Sequence, residues 1–238
     1  MKTKTIAALA VVLTLAALPA AAQTFTMGAR YSNYSTDVSA EAVDFVSLET
    51  GREGSFGIFG DYRAGRIVLN ASYDRDTSSG IALSFLPIDL AEYSRNRFEG
   101  ALGYAVTPWV DIEGGVRLDT VEVGGTLFFD QDLELDHQAL AVGINLHTPT
   151  IRPVGWYGLV RGYLGTADIN VLGVSADTDT TGFRVETGVQ IPLGLSGWQV
   201  IPAVEFERIE TDRDNILDPG IELESNRLIL MASYTFGR

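Results

Sequence analysis

Val110-Asp111-Ile112-Glu113-Gly114-Gly115-Val116-Arg117-Leu118-Asp119 is the stretch that decides the fold. Val110, Ile112, Val116 and Leu118 sit at every second position, with Asp111, Glu113, Arg117 and Asp119 between them. Successive side chains of a strand point to opposite faces, so a period of two sorts these residues into one apolar face and one charged face. A helix would scatter the charges around its whole circumference.

The same alternation recurs on either side. Phe25, Met27, Ala29 and Tyr31 oppose Thr26, Gly28, Arg30 and Ser32. Ile67, Leu69, Ala71 and Tyr73 oppose Val68, Asn70, Ser72 and Asp74. Leu228, Leu230, Ala232, Tyr234 and Phe236 oppose Arg227, Ile229, Met231, Ser233 and Thr235. Comparable segments begin near Phe56, Phe98, Leu140, Trp156, Phe183 and Trp198, which makes ten strands; eight and twelve are the neighbouring even counts. Connections are expected to alternate: short near 63–66, 107–108, 147–155 and 192–197, long at 35–54, 75–96, 120–136, 165–181 and 209–225. An even count places both ends of the barrel on the short-turn side. Trp109, Trp156 and Trp198, the only tryptophans, each begin a strand just after a short turn. With Tyr62, Tyr104, Tyr234 and Phe236 they form one expected aromatic belt, the side chains that favour a membrane–water boundary.

Residues 1–22 read separately. Lys2 and Lys4 precede the apolar run Ile6 to Leu18, and Pro19 leads into Ala20-Ala21-Ala22. That is the layout of a cleaved export signal, leaving 23–238 as one domain. Lys2 and Lys4 are the only lysines, so 15 of the 17 basic residues are arginine. With 31 acidic residues, the chain from Gln23 carries a net charge of -16. Such a chain has no basic face for nucleic-acid phosphates. The absence of cysteine excludes disulfides, thiolate metal sites and cysteine nucleophiles. No second apolar run reaches the roughly 20 residues of a membrane helix.

A soluble sandwich would also alternate, but it would bury the apolar face and leave neither the connection asymmetry nor the tryptophan placement explained. The pattern resembles the small outer-membrane β-barrel proteins of Gram-negative bacteria, porin-like barrels included. The resemblance implies an all-β, antiparallel up-and-down transmembrane barrel in the cell outer membrane. It also implies contact with outer-membrane lipids and lipopolysaccharide, and recognition by the barrel assembly machinery during insertion. Such chains typically end in an aromatic residue; here Phe236 is followed by Gly237-Arg238. Closure leaves no free edge, so a monomer is expected.

The inward face is then expected to carry Arg30, Asp61, Arg63, Asp74, Glu99, Asp111, Glu113, Arg117, Arg161, Arg184, Glu186, Glu205 and Glu207. Charges in a lumen must pair, and the five-donor guanidinium suits such networks. Two readings stand: a polar core locked by ion pairs, or a narrow cation-favouring pore for small solutes. Inward glycines, among them Gly57 and Gly143, either leave room for water or admit bulky neighbours. Acidic residues of the long connections, including Asp119, Glu122, Asp136, Asp168, Asp177, Glu210, Glu222 and Glu224, are expected to form a solvated external crown. No spacing matches a metal loop, and no cofactor motif occurs. A third reading, a rim hydrolase, would need His137, which is expected to be a solvated loop residue beside Asp136 with Asp119 across the loop.

Overall fold

The computed structural model describes residues 23–40, 47–50, 53–78, 81–83, 86–89, 92–124, 133–148, 154–171, 174–194, 197–211 and 221–237. The leader 1–22 lies outside them. No helix occurs among the described residues.

Ten long strands carry the fold: β1 (Gln23–Ala40), β3 (Glu53–Ala64), β4 (Ile67–Ser78), β7 (Glu92–Thr107), β8 (Val110–Gly124), β9 (Leu133–His147), β10 (Gly155–Val171), β11 (Val174–Pro192), β12 (Trp198–Thr211) and β13 (Ile221–Phe236). Each pairs antiparallel with the next, and β13 returns to β1 over sixteen residue pairs from Phe25↔Phe236 to Ala40↔Ile221. The sheet is therefore a closed barrel, and the expected count of ten is what the structure holds. Three short strands, β2 (Ser47–Thr50), β5 (Ile81–Leu83) and β6 (Leu86–Asp89), extend the sheet from β1 at the long-connection end.

Closure fixes the tilt. From Gly188 the register runs through Ala203, Ile229, Ser32, Ser55, Asp76, Arg95, Val121, Leu135 and Ile169, and returns to β11 at Ala176. The circuit closes 12 residues from its start. Ten strands with that stagger tilt by about 40° from the barrel axis.

Burial follows the sequence alternation. Leu140, Val142, Leu164 and Leu228 are exposed on the outer face, whereas Ala139, Ala141, Tyr163 and Arg227 are buried inside. Short turns fall where expected: Gly65 takes φ +60° between β3 and β4, and Pro108 and Trp109 join β7 to β8.

The long connections need correction. Residues 165–171 and 174–181 are not loop but paired strand, with register continuing to Val171↔Val174. Likewise β4 runs to Ser78, β7 begins at Glu92 and β9 begins at Leu133. Strands outrun the roughly 10 residues that a bilayer requires, because their hydrogen-bond ladders continue wherever the neighbouring strand does.

Candidate functional site: a charged plug above an open chamber

All thirteen residues expected in the lumen face inward, but they fall into two layers. Toward the long-connection end, guanidinium and carboxylate groups fill the barrel. Arg97 on β7 donates to Glu205 Oε1 and Glu207 Oε2 on β12, both at 3.0 Å. Four strands separate β7 from β12 in either direction around the ring, so these bonds cross the full diameter. Arg95 makes the same crossing to Glu207 at 2.8 Å, and Arg117 reaches Glu207 at 2.7 Å. Arg97 and Glu207 are 1% and 0% exposed, so this cross-section is dry.

The pairing logic comes from the register. Arg161 and Arg184 stand directly opposite one another on β10 and β11, a repulsive placement alone. Glu99 on β7 accepts from both, at 2.5 Å from Arg161 Nη1 and 2.9 Å from Arg184 Nη1. Arg30 donates through two nitrogens to Asp74, which also accepts from Arg97. Arg227 forms a two-point bond to Asp76, 2.9 and 2.6 Å, and its guanidinium lies 5.2 Å from the Tyr34 ring centre. Planar guanidinium forks match carboxylates in this way; a lysine ammonium would not. Glycine makes the fit possible: at Gly143 a Cβ would stand 2.7 Å from Arg161 Cγ and 2.8 Å from the Val160 carbonyl oxygen. Of the two roles open to that glycine, admitting a bulky neighbour is the one it performs.

Arg95, Arg97, Asp76 and Arg227 belong to this plug although they were not among the expected lumen residues. Two corrections accompany them. Asp119 is not part of an external crown; it is buried and accepts from Arg95 at 3.0 Å and Arg117 at 2.5 Å. His137 is not a solvated loop residue; it is 3% exposed, Nδ1 lies 3.0 Å from Asp119 Oδ2 and Nε2 lies 3.0 Å from Thr180 Oγ1. Adjacent Asp136 points to the other face, where it accepts from Thr120. A carboxylate, an imidazole and a hydroxyl in line resemble a nucleophile relay. Here the carboxylate already holds two arginines and Thr180 is 3% exposed, leaving no space for a substrate.

Toward the short turns the lumen opens into a chamber of about 610 Å³. Asp61, Arg63, Asp111, Glu186 and His147 line it, with Arg30, Arg161 and Arg184 toward the plug. Arg63 donates to Asp111 at 2.6 Å, and Arg161 donates to Glu113 at 2.6 Å. Glu186 accepts from the Tyr157 hydroxyl at 2.6 Å rather than from an arginine.

The belt residues face outward at the short-turn end. Trp109, Trp156, Trp198, Tyr104 and Phe236 are exposed, with Tyr62 and Tyr234 half-buried. Trp198 and Phe236 each pack edge-on against Tyr234, with ring centres at 5.2 and 4.6 Å. At the opposite end, exposed Asp136, Asp168 and Asp177 stand in one cross-strand row. A hydrogen bond with Asp177, and that residue's charge, push the Asp168 carboxyl above its ordinary value. Glu222 and Glu224 are held by Arg208 at 3.1 and 3.4 Å.

No protein-family description and no curated protein matches the sequence. Solved structures do match in shape. The outer membrane protease OmpT of Escherichia coli superposes with a TM-score of 0.60 at 9% identity, covering 91% of this chain and 97% of that one. Neisserial surface protein A gives 0.46 at 14% identity, covering 89% and 97%. The translocator domain of the autotransporter NalP from Neisseria meningitidis gives 0.49 at 9%, covering 99% and 96%. In fold, the chain is a closed ten-stranded antiparallel barrel of the kind found in the bacterial outer membrane.

Proposed function

We propose that this protein is an outer-membrane barrel with a closed lumen, a non-conducting structural or adhesive element rather than a porin-like pore. The diametric ion pairs of Arg97 with Glu205 and Glu207 carry this reading. Groups engaged with one another across the axis occupy the path that a permeating ion would take, and breaking them would leave buried charges unpaired. An apolar outer face with an aromatic belt suits lipid, where only a closed barrel satisfies every strand's backbone. Residues 1–22 then serve as the export signal. Outer-membrane lipids and lipopolysaccharide surround the mature chain, the barrel assembly machinery inserts it, and it works as a monomer. Catalysis has no part in this reading.

Single-channel recording in planar lipid bilayers tests it. The expected result is an unperturbed baseline from inserted protein, with insertion verified by protease protection. Stable ohmic steps, above all cation-selective ones, would overturn closure and restore the pore reading.

A further inference from the structure

The strands turn ten carboxylates inward between the chamber and the level of Asp76 and Asp119. Eight of them lie within 4 Å of a guanidinium. Among the described residues, Asp61 and Glu186 have no such partner. Glu186 is 5% exposed and accepts one hydrogen bond, from Tyr157 to Oε1, so Oε2 has no partner among the described residues. Both residues line the chamber. Asp111, 1% exposed, adds an oxygen, Oδ1, that is also without a hydrogen-bond partner. The arginines around the chamber are already committed: Arg30 to Asp74, Arg63 to Asp111, Arg161 to Glu99 and Glu113, and Arg184 to Glu99. Two negative charges are thus left over, in a space where charge needs a counter-charge.

Their placement indicates the shape of that counter-charge. Asp61 on β3 and Glu186 on β11 lie four strands apart around a ring of ten, on nearly opposite walls. Between them the chamber wall is mixed: Phe59, Ile201 and Met231 belong to one packed apolar cluster, and Thr26, Arg30, Gln199 and Thr235 line the same wall. We propose that the chamber is a binding site, entered from the short-turn end, for a short aliphatic diamine. One ammonium would meet Asp61, the other Glu186, and the methylene stem would lie along Phe59, Ile201 and Met231. An ammonium supplies three donors and no acceptor, which is what two carboxylates without a guanidinium partner require.

This inference uses the barrel interior and the closed plug, so it rests in part on the lumen reading above. The bilayer recording tests closure alone, and the following experiment tests the chamber alone. Full-length mature protein, folded in detergent micelles, is titrated calorimetrically with 1,4-diaminobutane at neutral pH. One saturable site is expected, with n-butylamine at least tenfold weaker because it satisfies one wall only. Asp61→Asn and Glu186→Gln should each weaken the diamine tenfold or more, and the pair should abolish binding. Should a variant fail to fold, saturation-transfer NMR on the wild-type protein still decides: the diamine's methylene protons must receive magnetisation, and glutarate, the dianionic counterpart, must not. Absence of saturable binding, binding of glutarate instead, or affinity unchanged in the double variant would overturn the proposal. Proton uptake by Asp61 and Glu186 without diamine binding would overturn it too, since protons alone would then supply the missing charge.

Discussion

Replacing Arg227 by methionine should cost far more than removing Arg227 and Asp76 together. The pair is buried, each side chain 1% exposed, and joined through two nitrogen–oxygen contacts. Arg227→Met leaves the Asp76 carboxylate in a dry interior without its guanidinium. Orphaning one member of a buried pair typically costs about 3–5 kcal/mol. At about 4 kcal/mol, the folding equilibrium falls roughly a thousandfold. Asp76→Leu with Arg227→Met removes both charges and fills the space with apolar atoms, a change that is often neutral or stabilising by about 1–4 kcal/mol. Glu205, which Arg227 also approaches at 3.1 Å, keeps Arg97 at 3.0 Å in either variant. The expected order is therefore wild type near the double variant, and both well above the single one. Urea unfolding of vesicle-reconstituted barrel, followed by tryptophan emission, measures all three. A single variant as stable as the double one would refute the claim that the plug is held by mutual charge compensation.

Gly115→Ala should destabilise by about 1–3 kcal/mol, since its Cβ would meet the Ala101 backbone at 2.8 Å and backbone cannot yield cheaply. Gly114→Ala, one residue away with its nearest atom at 3.9 Å, should be almost silent in the same unfolding assay. Brominated lipids should quench Trp109, Trp156 and Trp198 with a common depth profile; three different profiles would break the belt. Carboxyl NMR should find Asp168 titrating above an ordinary aspartate, and Asp177→Asn should return it to normal. A carboxyl raised in the folded state contributes a stability that is lost as pH climbs from the ordinary aspartate value through the raised one. The β10–β11 hairpin end should accordingly resist proteolysis better below that window than above it, and equal resistance on both sides would contradict the assignment.

Much of this architecture is legible in the sequence because lipid outside and polarity inside give every spanning residue one of two characters. Val110 to Asp119 shows it directly, as do the positions of the three tryptophans. The signal fails where strands leave the apolar zone. At Arg75-Asp76-Thr77 and Ser94-Arg95-Asn96-Arg97 both faces are polar, so alternation carries no contrast and residues 75–96 read as loop. Asp76, Arg95 and His137 lie in such stretches, whereas Asp119 alternates with Leu118 and reads as loop only because it ends the apolar run. Cross-lumen partners are invisible for another reason. Arg97 meets Asp74 through the ladder, which register could foretell, but it meets Glu207 across the axis, where only the closed shape brings them together.

The seam between β1 and β13 gives this chain an order of events. Its sixteen pairs join the two ends of the barrel sequence, so until β13 docks the sheet keeps two bare edges that must be guarded from other chains. Arg227, on β13, finds Asp76 on β4, beyond the seam. The plug therefore cannot be completed in an open sheet. Its last ion pair forms only when the final strand has docked in register, and a barrel zipped two residues out of step would carry Arg227 away from Asp76. The lumen thus doubles as a proofreading device, in which a misaligned seam is penalised by a charge left alone in a dry interior.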